Sequence, residues 1–221
     1  MEPDNLALDR YVLEASGVAT PRVCFVGTAS GDAQSFIDRF YAAFSTLNCT
    51  PGHISLFKPE PGDLRETVLE QDVIYVGGGN ARNMLAIWRE WEFDRILREA
   101  WEKGVVLAGI SAGSICWFEQ GLSDSVKPAE LLPLNCLGLL PGSNCPHYDG
   151  EPERRSRYQK LVLEGSLEAG YAADDGAALH YAGTKLVNTV CSRPAAKVYR
   201  VEKQGAGIVE TPLEMQFLAP D

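Results

Sequence analysis

The chain has 221 residues, of which 45% are hydrophobic and 23% are charged, and its formal net charge is −10 at pH 7. This length suits one sizeable α/β domain, so we predict a single domain over residues 1–221. No apolar run approaches the roughly 18 residues of a membrane span, and the negative charge disfavours nucleic acid, which binds through Lys and Arg. We therefore expect neither a membrane nor a nucleic acid as a partner.

The N-terminal segment MEPDNLALDR is acidic and lacks the apolar core of a signal peptide. The six cysteines form no C-x-x-C pair, and several lie in apolar stretches such as RVCFVG (22–27). Buried thiols suit a reducing compartment better than a disulfide framework or a zinc site. We expect a cytoplasmic location, and the oligomeric state stays open, with a homodimer as one alternative.

Strands and helices are predicted to alternate in the first half of the chain. Continuous apolar runs predict strands, and apolar residues at helical spacing predict helices. The predicted strands are 22–29, 53–60, 72–80 and 105–111, and the predicted helices are 34–47, 63–71, 81–104 and 111–121. Apolar strands that alternate with helices indicate a parallel sheet covered on both faces.

The pattern changes after residue 122, where four prolines, Pro128, Pro133, Pro141 and Pro146, predict a loop-rich region. A helix is predicted over 152–165, and short β segments follow from 171 onward. The predicted fold is therefore a doubly wound, mostly parallel α/β sheet with an antiparallel C-terminal extension. Ligands of such sheets bind at the carboxyl ends of the strands, so GTASGD (27–32), GGGN (77–80) and GISAGS (109–114) should converge in space.

The segment 109–113 matches G-x-S-x-G where a strand passes into a helix, which is the context of a nucleophile elbow. A sharp elbow exposes the Ser111 hydroxyl, and the helix N-terminus behind it favours developing negative charge. The alternative is that Ser111 or Ser114 only caps the helix.

A nucleophilic serine requires a base, and the chain has three histidines. His53 and His180 lie in predicted strands, where a hydrogen-bonded structural role is the alternative. His147 lies in the irregular loop SNCPHYDG, and loops on a rigid sheet commonly carry catalytic side chains. We predict that His147 is the base.

The imidazole in turn requires a carboxylate. Asp124, in GLSDS, begins the loop-rich region and is the first choice, with Glu119 and Glu130 as rivals. A solvated loop residue or a helix cap is the alternative reading of each of these acids.

An oxyanion hole requires two backbone N–H groups. Ala112, which follows the nucleophile, is one natural donor, and Gly78 or Gly79 of GGGN would supply the other because glycine lets the backbone approach a carbonyl closely. A phosphate-binding loop or a plain tight turn is the alternative for GGGN, although its spacing matches neither G-x-G-x-x-G nor a P-loop.

Four motifs, VIYVGGGN, GISAGS, LSDS and NCPHYD, occur in the order found in the peptidase E family of serine peptidases, which this sequence resembles over about residues 22–185. The best-known members of that family are aspartyl dipeptidases, and its relatives include cyanophycinases. The resemblance implies a flavodoxin-like fold similar to class I glutamine amidotransferases. It also implies Ser111 as nucleophile, His147 as base, Asp124 as third member, and oxyanion donors at Ala112 and Gly78 or Gly79.

Family members that remove an N-terminal aspartate must bind a carboxylate and a free amine. The segment EPERRSRY resembles the family's acidic-then-arginine segment, so Arg154 is the first choice for the carboxylate and Arg157 the second. Asp174 and Asp175 lie near the family's glutamate-glycine position and would bind the amine.

The expected activity is therefore serine exopeptidase hydrolysis of small peptides through an acyl-enzyme, with no metal or cofactor. The alternatives are a cyanophycinase-like or other amide hydrolase, and a non-catalytic amidotransferase-like binding domain.

Overall fold

The structure is a computed structural model that describes residues 4–59, 61–127 and 129–219. It divides into two compact units, Met1–Ser114 and Ile115–Asp221, and each is described by itself below. Within the described ranges, no helix has the length and apolar character needed to cross a membrane. Glu60 and Pro128, on which part of the predicted secondary structure falls, lie outside these ranges, and the single domain stays a prediction.

Helices alternate with strands in the first unit. Its elements are α1 (Ala7–Ala15), β1 (Arg22–Val26), α2 (Gln34–Phe44), β2 (Thr50–Ile54), α3 (Leu64–Leu69), β3 (Val73–Val76), α4 (Ala81–Glu90), α5 (Phe93–Glu102), β4 (Val106–Gly109) and α6 (Ala112–Ile115), which ends at the first residue of the second unit. The strands form a parallel sheet in the order β2-β1-β3-β4. The predicted parallel, helix-covered sheet is confirmed.

The core of the first unit forms where α2 packs against β1. Phe40 and Phe44 lie four residues apart on one face of α2, and both are fully buried. The ring of Phe40 stacks on that of Phe25 in β1, with 5.0 Å between the ring centroids. Burial of each phenyl group contributes roughly 1.5–3 kcal/mol to stability.

The second strand lies earlier than the sequence predicts. Strand β2 pairs with β1 from Thr50 to Ile54, whereas residues 55–57 bend away from the sheet. The cause is Asp32 in the loop after β1, because its carboxylate oxygen Oδ2 accepts hydrogen bonds from the N–H groups of Leu56 and Phe57 at 2.8 and 3.0 Å. A side chain distant in sequence therefore ends the strand.

The long helix predicted over 81–104 is two helices. The break falls at Glu92, whose backbone is left-handed with φ of 51°. Trp88 and Phe93, five residues apart, would face different sides of a continuous helix. The break lets both be buried at 0% exposure, with ring centroids 5.5 Å apart.

Strands dominate the second unit. Its elements are β5 (Phe118–Lys127), β6 (Glu130–Asn135), β7 (Leu140–Cys145), α7 (Arg154–Leu163), β8 (Gly170–Ala173), β9 (Ala177–Ala182), β10 (Lys185–Cys191), β11 (Val198–Gln204), β12 (Gly207–Pro212) and β13 (Gln216–Phe217). A six-stranded sheet has the order β12-β11-β8-β7-β5-β6, and β13-β10-β9 form a smaller sheet. The β5-β7 and β7-β8 pairs are parallel, and antiparallel strands flank them.

Two expectations for the start of the second unit are wrong. The helix predicted over 111–121 ends at Ile115, since residues 115–118 are all buried and strand β5 begins at Phe118. The region after 122 is not loop-rich but contains β5, β6 and β7. Its prolines are compatible with strands, because Pro133 lies in the edge strand β6 and Pro141 lies at a register shift between β5 and β7.

The fold is α/β, with a parallel sheet and additional antiparallel strands toward the C-terminus, as predicted. For the site, the most important pairing is the parallel one between β7 and β8, in which Cys145 lies beside Ala172. Since neighbouring parallel strands end at the same edge, the residues that follow β7 and those that follow β8 emerge side by side.

Candidate active site

Ser111 lies in a strained turn between β4 and α6. Its φ of 55° falls in the left-handed region, which non-glycine residues rarely adopt. The residue is half-buried, and among the described residues no N–H group donates a hydrogen bond to its Oγ atom, as helix capping would require. Strand β4 ends at Gly109 and helix α6 begins at Ala112, which confirms the strand-turn-helix context predicted for the G-x-S-x-G motif.

Close packing explains the two glycines of this motif. A Cβ atom at Gly109 would lie 2.4 Å from the carbonyl oxygen of Gly113, and one at Gly113 would lie 2.3 Å from the carbonyl oxygen of Val76 in β3. Real Cβ atoms do not approach so closely, so neither position accepts a side chain without a backbone shift. The turn that carries Ser111 is thus pressed against the neighbouring strand.

The glycine loop after β3 lies directly beside Ser111. A Cβ atom at Gly78 would lie 3.2 Å from Ser111 Cβ and 3.8 Å from its Oγ. Gly79 has φ of 137°, and a Cβ atom there would lie 2.3 Å from the carbonyl oxygen of Ala29. Asn80 donates its N–H to the same carbonyl oxygen at 2.7 Å. The predicted convergence of the three segments 27–32, 77–80 and 109–114 is confirmed.

Unused backbone donors surround the serine. In the part of the chain that the structure describes, hydrogen bonds occupy the N–H groups of Gly77 and Asn80, but none occupies those of Gly78, Gly79 or Ala112. These are the three N–H groups that the sequence suggests for an oxyanion hole. Gly78 and Ala112 are buried residues, whereas Gly79 is exposed. A buried N–H without a partner is costly, so the open donors of Gly78 and Ala112 beside a candidate nucleophile suit a developing negative charge.

Asn80 has a structural role. Its side-chain oxygen accepts the N–H of Asn83 at 2.9 Å and so caps helix α4. The last residue of GGGN therefore fixes the start of the helix, while Gly78 lies against the serine turn.

His147 follows β7 and Pro146, and its φ of 57° is also left-handed. Its Nδ1 atom lies 2.7 Å from Oδ1 of Asp175, and the two side chains are 33% and 36% exposed. An ionised carboxylate only accepts hydrogen bonds, so Nδ1 carries the proton in this pair. The opposite nitrogen, Nε2, is then the one that can accept a proton from a nucleophile.

The partner of His147 is thus a residue to which the sequence assigns another role, the binding of a substrate amine. The signal was in the topology: Asp175 follows β8 just as His147 follows β7, and the two strands are parallel neighbours. The sequence alone does not give the strand order, so it does not predict this pair.

The acids favoured by the sequence lie elsewhere in the second unit. Asp124 is an exposed residue of β5, and no described residue forms a hydrogen bond or ion pair with its carboxylate. Glu119 accepts the N–H of Gly142 at 2.7 Å, and Glu130 forms an ion pair with Lys127. The assignment of Asp124 as the third catalytic member stays a prediction.

Arg154, the first residue of α7, is 5% exposed. Its Nε atom and one terminal nitrogen lie 2.9 and 2.8 Å from Oε2 of Glu151, and its other terminal nitrogen lies 3.4 Å from the carbonyl oxygen of Leu122. Arg157 donates to the carbonyl oxygen of Leu131 at 3.0 Å. A substrate carboxylate at Arg154 would therefore compete with Glu151, and the substrate-binding role of Arg154 stays a prediction.

The other two histidines lie in strands, as predicted. His53 belongs to β2, and its Nδ1 atom is 2.9 Å from the hydroxyl of Tyr41. His180 belongs to β9.

A polar cluster lies next to the histidine loop. Glu210 in β12 accepts hydrogen bonds from Tyr148, Gln159 and Arg155. Burial opposes the charge of Glu210, but these hydrogen bonds outweigh it and hold the pKa of the carboxyl below its usual value. The cluster anchors Tyr148, the residue after His147.

Comparisons with known proteins agree with this fold. The sequence model of peptidase family S51 matches residues 1–189. The uncharacterized peptidase YgaJ of Bacillus subtilis (strain 168) is 58% identical over 218 residues, which cover 99% of this chain and 94% of that protein. Peptidase E of Shewanella amazonensis is 30% identical over 136 residues, or 58% of this chain and 57% of that protein. The crystal structure of a peptidase from an acI-B1 actinobacterium has a TM-score of 0.70 at 19% identity, covering 97% of this chain and 91% of that chain.

The α/β fold and these relatives define a serine peptidase. The chain belongs to peptidase family S51. The resemblance to peptidase E drawn from four short motifs is confirmed.

Proposed function

We propose that this serine peptidase is an exopeptidase for small peptides, with dipeptides that carry an N-terminal aspartate as the first choice of substrate. The observation that carries the proposal is the left-handed backbone of Ser111, beside the open N–H groups of Gly78 and Ala112. Such a conformation costs on the order of 1–3 kcal/mol, and it persists where the strain serves a function. At Ser111 this conformation coincides with open backbone donors, and that combination supports a catalytic role.

In the first half of the proposed reaction, Nε2 of His147 takes the proton of Ser111 Oγ, and Oγ attacks the scissile carbonyl carbon. The oxygen of the tetrahedral intermediate accepts hydrogen bonds from Ala112 and from Gly78 or Gly79. The C–N bond then breaks, and His147 passes its proton to the leaving amine. Each oxyanion donor is worth about 10²–10³-fold in turnover.

In the second half, water attacks the acyl-enzyme. His147 takes a proton from the water, the ester bond to Ser111 breaks, and His147 returns the proton to Oγ. The reaction is hydrolysis, and the enzyme is regenerated.

For the third catalytic member, we propose Asp175 in place of the Asp124 predicted from the sequence. The 2.7 Å bond between His147 Nδ1 and Asp175 Oδ1 supports this choice. A carboxylate in that position fixes the tautomer that leaves Nε2 free to act as base, and it stabilises the imidazolium that forms during attack. Asp175 then has no need to bind the substrate amine, and Asp174 is the remaining acid of that segment.

The preference for an N-terminal aspartate rests on the resemblance to peptidase E and on Arg154. We keep Arg154 as the first candidate for the substrate carboxylate and Arg157 as the second. Arg154→Ala should raise KM for an Asp-X dipeptide more than for Leu-X, and Arg157→Ala is the matched comparison. An equal change for both substrates would remove Arg154 from the pocket.

The cytoplasmic location and the homodimer also stay predictions. All six cysteines lie among the described residues and no disulfide joins them, which supports a reducing compartment.

The test of the proposed function compares Ser111→Ala with Ser114→Ala, because both serines belong to GISAGS. Hydrolysis of Asp-X, Leu-X and β-Asp-Arg peptides is measured for each variant. We expect Ser111→Ala to lose nearly all turnover while Ser114→Ala keeps most of it. Wild-type turnover by Ser111→Ala would refute the mechanism, and activity on β-Asp-Arg alone would replace the dipeptidase with a cyanophycinase-like hydrolase.

A further inference from the structure

We propose that Asp149 is a positioning residue for Asp175, and that Gly150 is required beside it because the Asp175 carboxylate occupies the space that a side chain would fill. This inference rests on the proposed function, in which Asp175 orients His147. It assigns a role to two residues that follow the histidine in the sequence CPHYDG.

The loops after β7 and β8 are joined by successive hydrogen bonds. The N–H of Tyr148 donates to the carbonyl oxygen of Ala173 at 3.0 Å, which continues the pairing of the two strands. At the next step the backbone partner is replaced by a side chain, because the N–H of Asp175 donates to Oδ1 of Asp149 at 2.8 Å. The carboxylate of Asp175 then reaches back to His147 at 2.7 Å.

The bond to Asp149 determines where the Asp175 carboxylate points. Asp175 lies at the tip of a turn and is partly exposed, so packing alone does not hold it. Asp149 holds its backbone from one side, and Asp174 holds the turn from the other: Lys197 donates its N–H to Oδ2 of Asp174 at 3.0 Å, and the N–H of Asp174 donates to the carbonyl oxygen of Lys197 at 2.9 Å. Because these hydrogen bonds hold the backbone of Asp174 and Asp175, they limit the directions in which the Asp175 side chain can point.

Close packing against Asp175, and not backbone conformation, explains why position 150 is a glycine. Its φ is not in the left-handed region, so an alanine could adopt the same backbone. A Cβ atom there would, however, lie 2.6 Å from Oδ2 of Asp175 and 3.4 Å from its Cγ. A side chain at position 150 would therefore push the carboxylate out of its place next to His147.

The positioning role requires an acceptor oxygen at position 149 and not a negative charge. Burial raises the pKa of Asp174, and the nearby negative charge of Asp149 raises it further, so the two carboxylates repel each other. Asparagine would offer the same acceptor oxygen to the Asp175 N–H without that repulsion. A positioning role thus predicts that Asp149→Asn keeps activity, because the acceptor and not the charge is what holds Asp175.

The experiment is a double-mutant cycle with dipeptide hydrolysis as the readout. Asp149→Ala and Asp149→Asn are made in the wild type and in Asp175→Ala, and thermal unfolding is measured for every variant. We expect Asp149→Ala to lower kcat about 100-fold with little change in KM, as a misplacement of about 1 Å does. Asp149→Asn should stay within about threefold of the wild type. In the Asp175→Ala background, Asp149→Ala should add less than about twofold, since effects of residues that act as one unit are not additive.

A second variant checks the space argument. Gly150→Ala should lower kcat when Asp175 is present and have little effect in Asp175→Ala, where no carboxylate remains to be displaced. The labelling rate of Ser111 by a fluorophosphonate is measured on the same proteins and should follow the same pattern.

Three results would overturn the proposal: an equal loss for Asp149→Ala in both backgrounds, a loss in Asp149→Asn as large as in Asp149→Ala, or wild-type kcat for Asp149→Ala. A Ser111→Ala arm separates this from the proposed function. If Ser111→Ala is inactive and Asp149→Ala is unimpaired, only the positioning role fails, whereas an active Ser111→Ala removes both.

Discussion

The Nδ1 atom of His147 lies 2.7 Å from Oδ1 of Asp175, and the two residues follow neighbouring parallel strands, β7 and β8. The sequence interval between them is long, yet the sheet brings both to the same edge. This pair orients one imidazole nitrogen toward a carboxylate and leaves the other for proton transfer.

The first prediction compares Asp175→Asn with Asp124→Asn. Asparagine at 175 can donate a hydrogen bond to Nδ1 and so favours the wrong tautomer, which costs roughly 10⁴-fold in kcat in an enzyme of this type. Asp124→Asn should change kcat little, because no described residue bonds to that carboxylate. The measurement is the kcat of both variants for one dipeptide. A larger loss of kcat in Asp124→Asn than in Asp175→Asn would restore Asp124 as the third catalytic member.

The second prediction concerns the two adjacent glycines of the GGGN loop. A methyl group at Gly78 would crowd Ser111 from 3.2 Å without straining the backbone, so Gly78→Ala should stay folded but lose kcat by about tenfold or more. Gly79 has φ of 137°, and its Cβ would collide with the carbonyl oxygen of Ala29, so Gly79→Ala should unfold at lower temperature. Thermal unfolding and kcat are measured for both variants. A stable, fully active Gly78→Ala would contradict the placement of Gly78 against the reacting hydroxyl and would leave Gly79 as the second oxyanion donor.

The third prediction concerns the contribution of Glu210 to folding stability at low pH. The pKa of its carboxyl is lower in the folded than in the unfolded chain, so its charge stabilises the fold at neutral pH. This stabilisation is lost as the pH falls through the folded-state pKa. Glu210→Gln should lower the free energy of unfolding by about 1–3 kcal/mol at pH 7, and by less in acid. Urea unfolding across the pH range measures this; a constant difference at all pH values would argue against the charged hydrogen bonds.

The fourth prediction concerns Asp174, whose effect on stability changes with pH in the opposite direction to that of Glu210. Burial raises the pKa of its carboxyl, so the ionised form destabilises the fold. Stability is therefore lost as the pH rises from the unfolded-state to the folded-state pKa. Asp174→Asn keeps an oxygen for the Lys197 N–H and should be at least as stable as the wild type at pH 7, with a flatter pH dependence in that interval. A less stable Asp174→Asn would mean that the charge itself holds the turn.

The sequence predicted those parts of the site in which neighbours in the chain are also neighbours in space. The elbow at Ser111 follows from a strand, small residues and a helix within ten positions, and His147 from an irregular loop after an apolar stretch. The carboxylate partner of His147 could not be found in this way, because Asp175 meets it only through the order of the strands. Proximity in sequence favoured Asp124 instead.

The fold errors have a similar origin. Asp32 ends strand β2 through contacts to residues more than twenty positions away, and the burial of Phe93 breaks the helix predicted over 81–104. The sequence does not predict the strands around Pro133 and Pro141, because proline argues against a strand unless the strand is at an edge or irregular. Local patterns do not reveal which strand is at an edge.

The most direct test of the account is the site of covalent modification by a fluorophosphonate, mapped by mass spectrometry of the digested protein. We predict one adduct, on Ser111, that forms at the rate at which peptidase activity is lost. An Asp-X dipeptide should slow its formation. Complete loss of activity with Ser111 unmodified, or an adduct on Ser114 instead, would contradict the account.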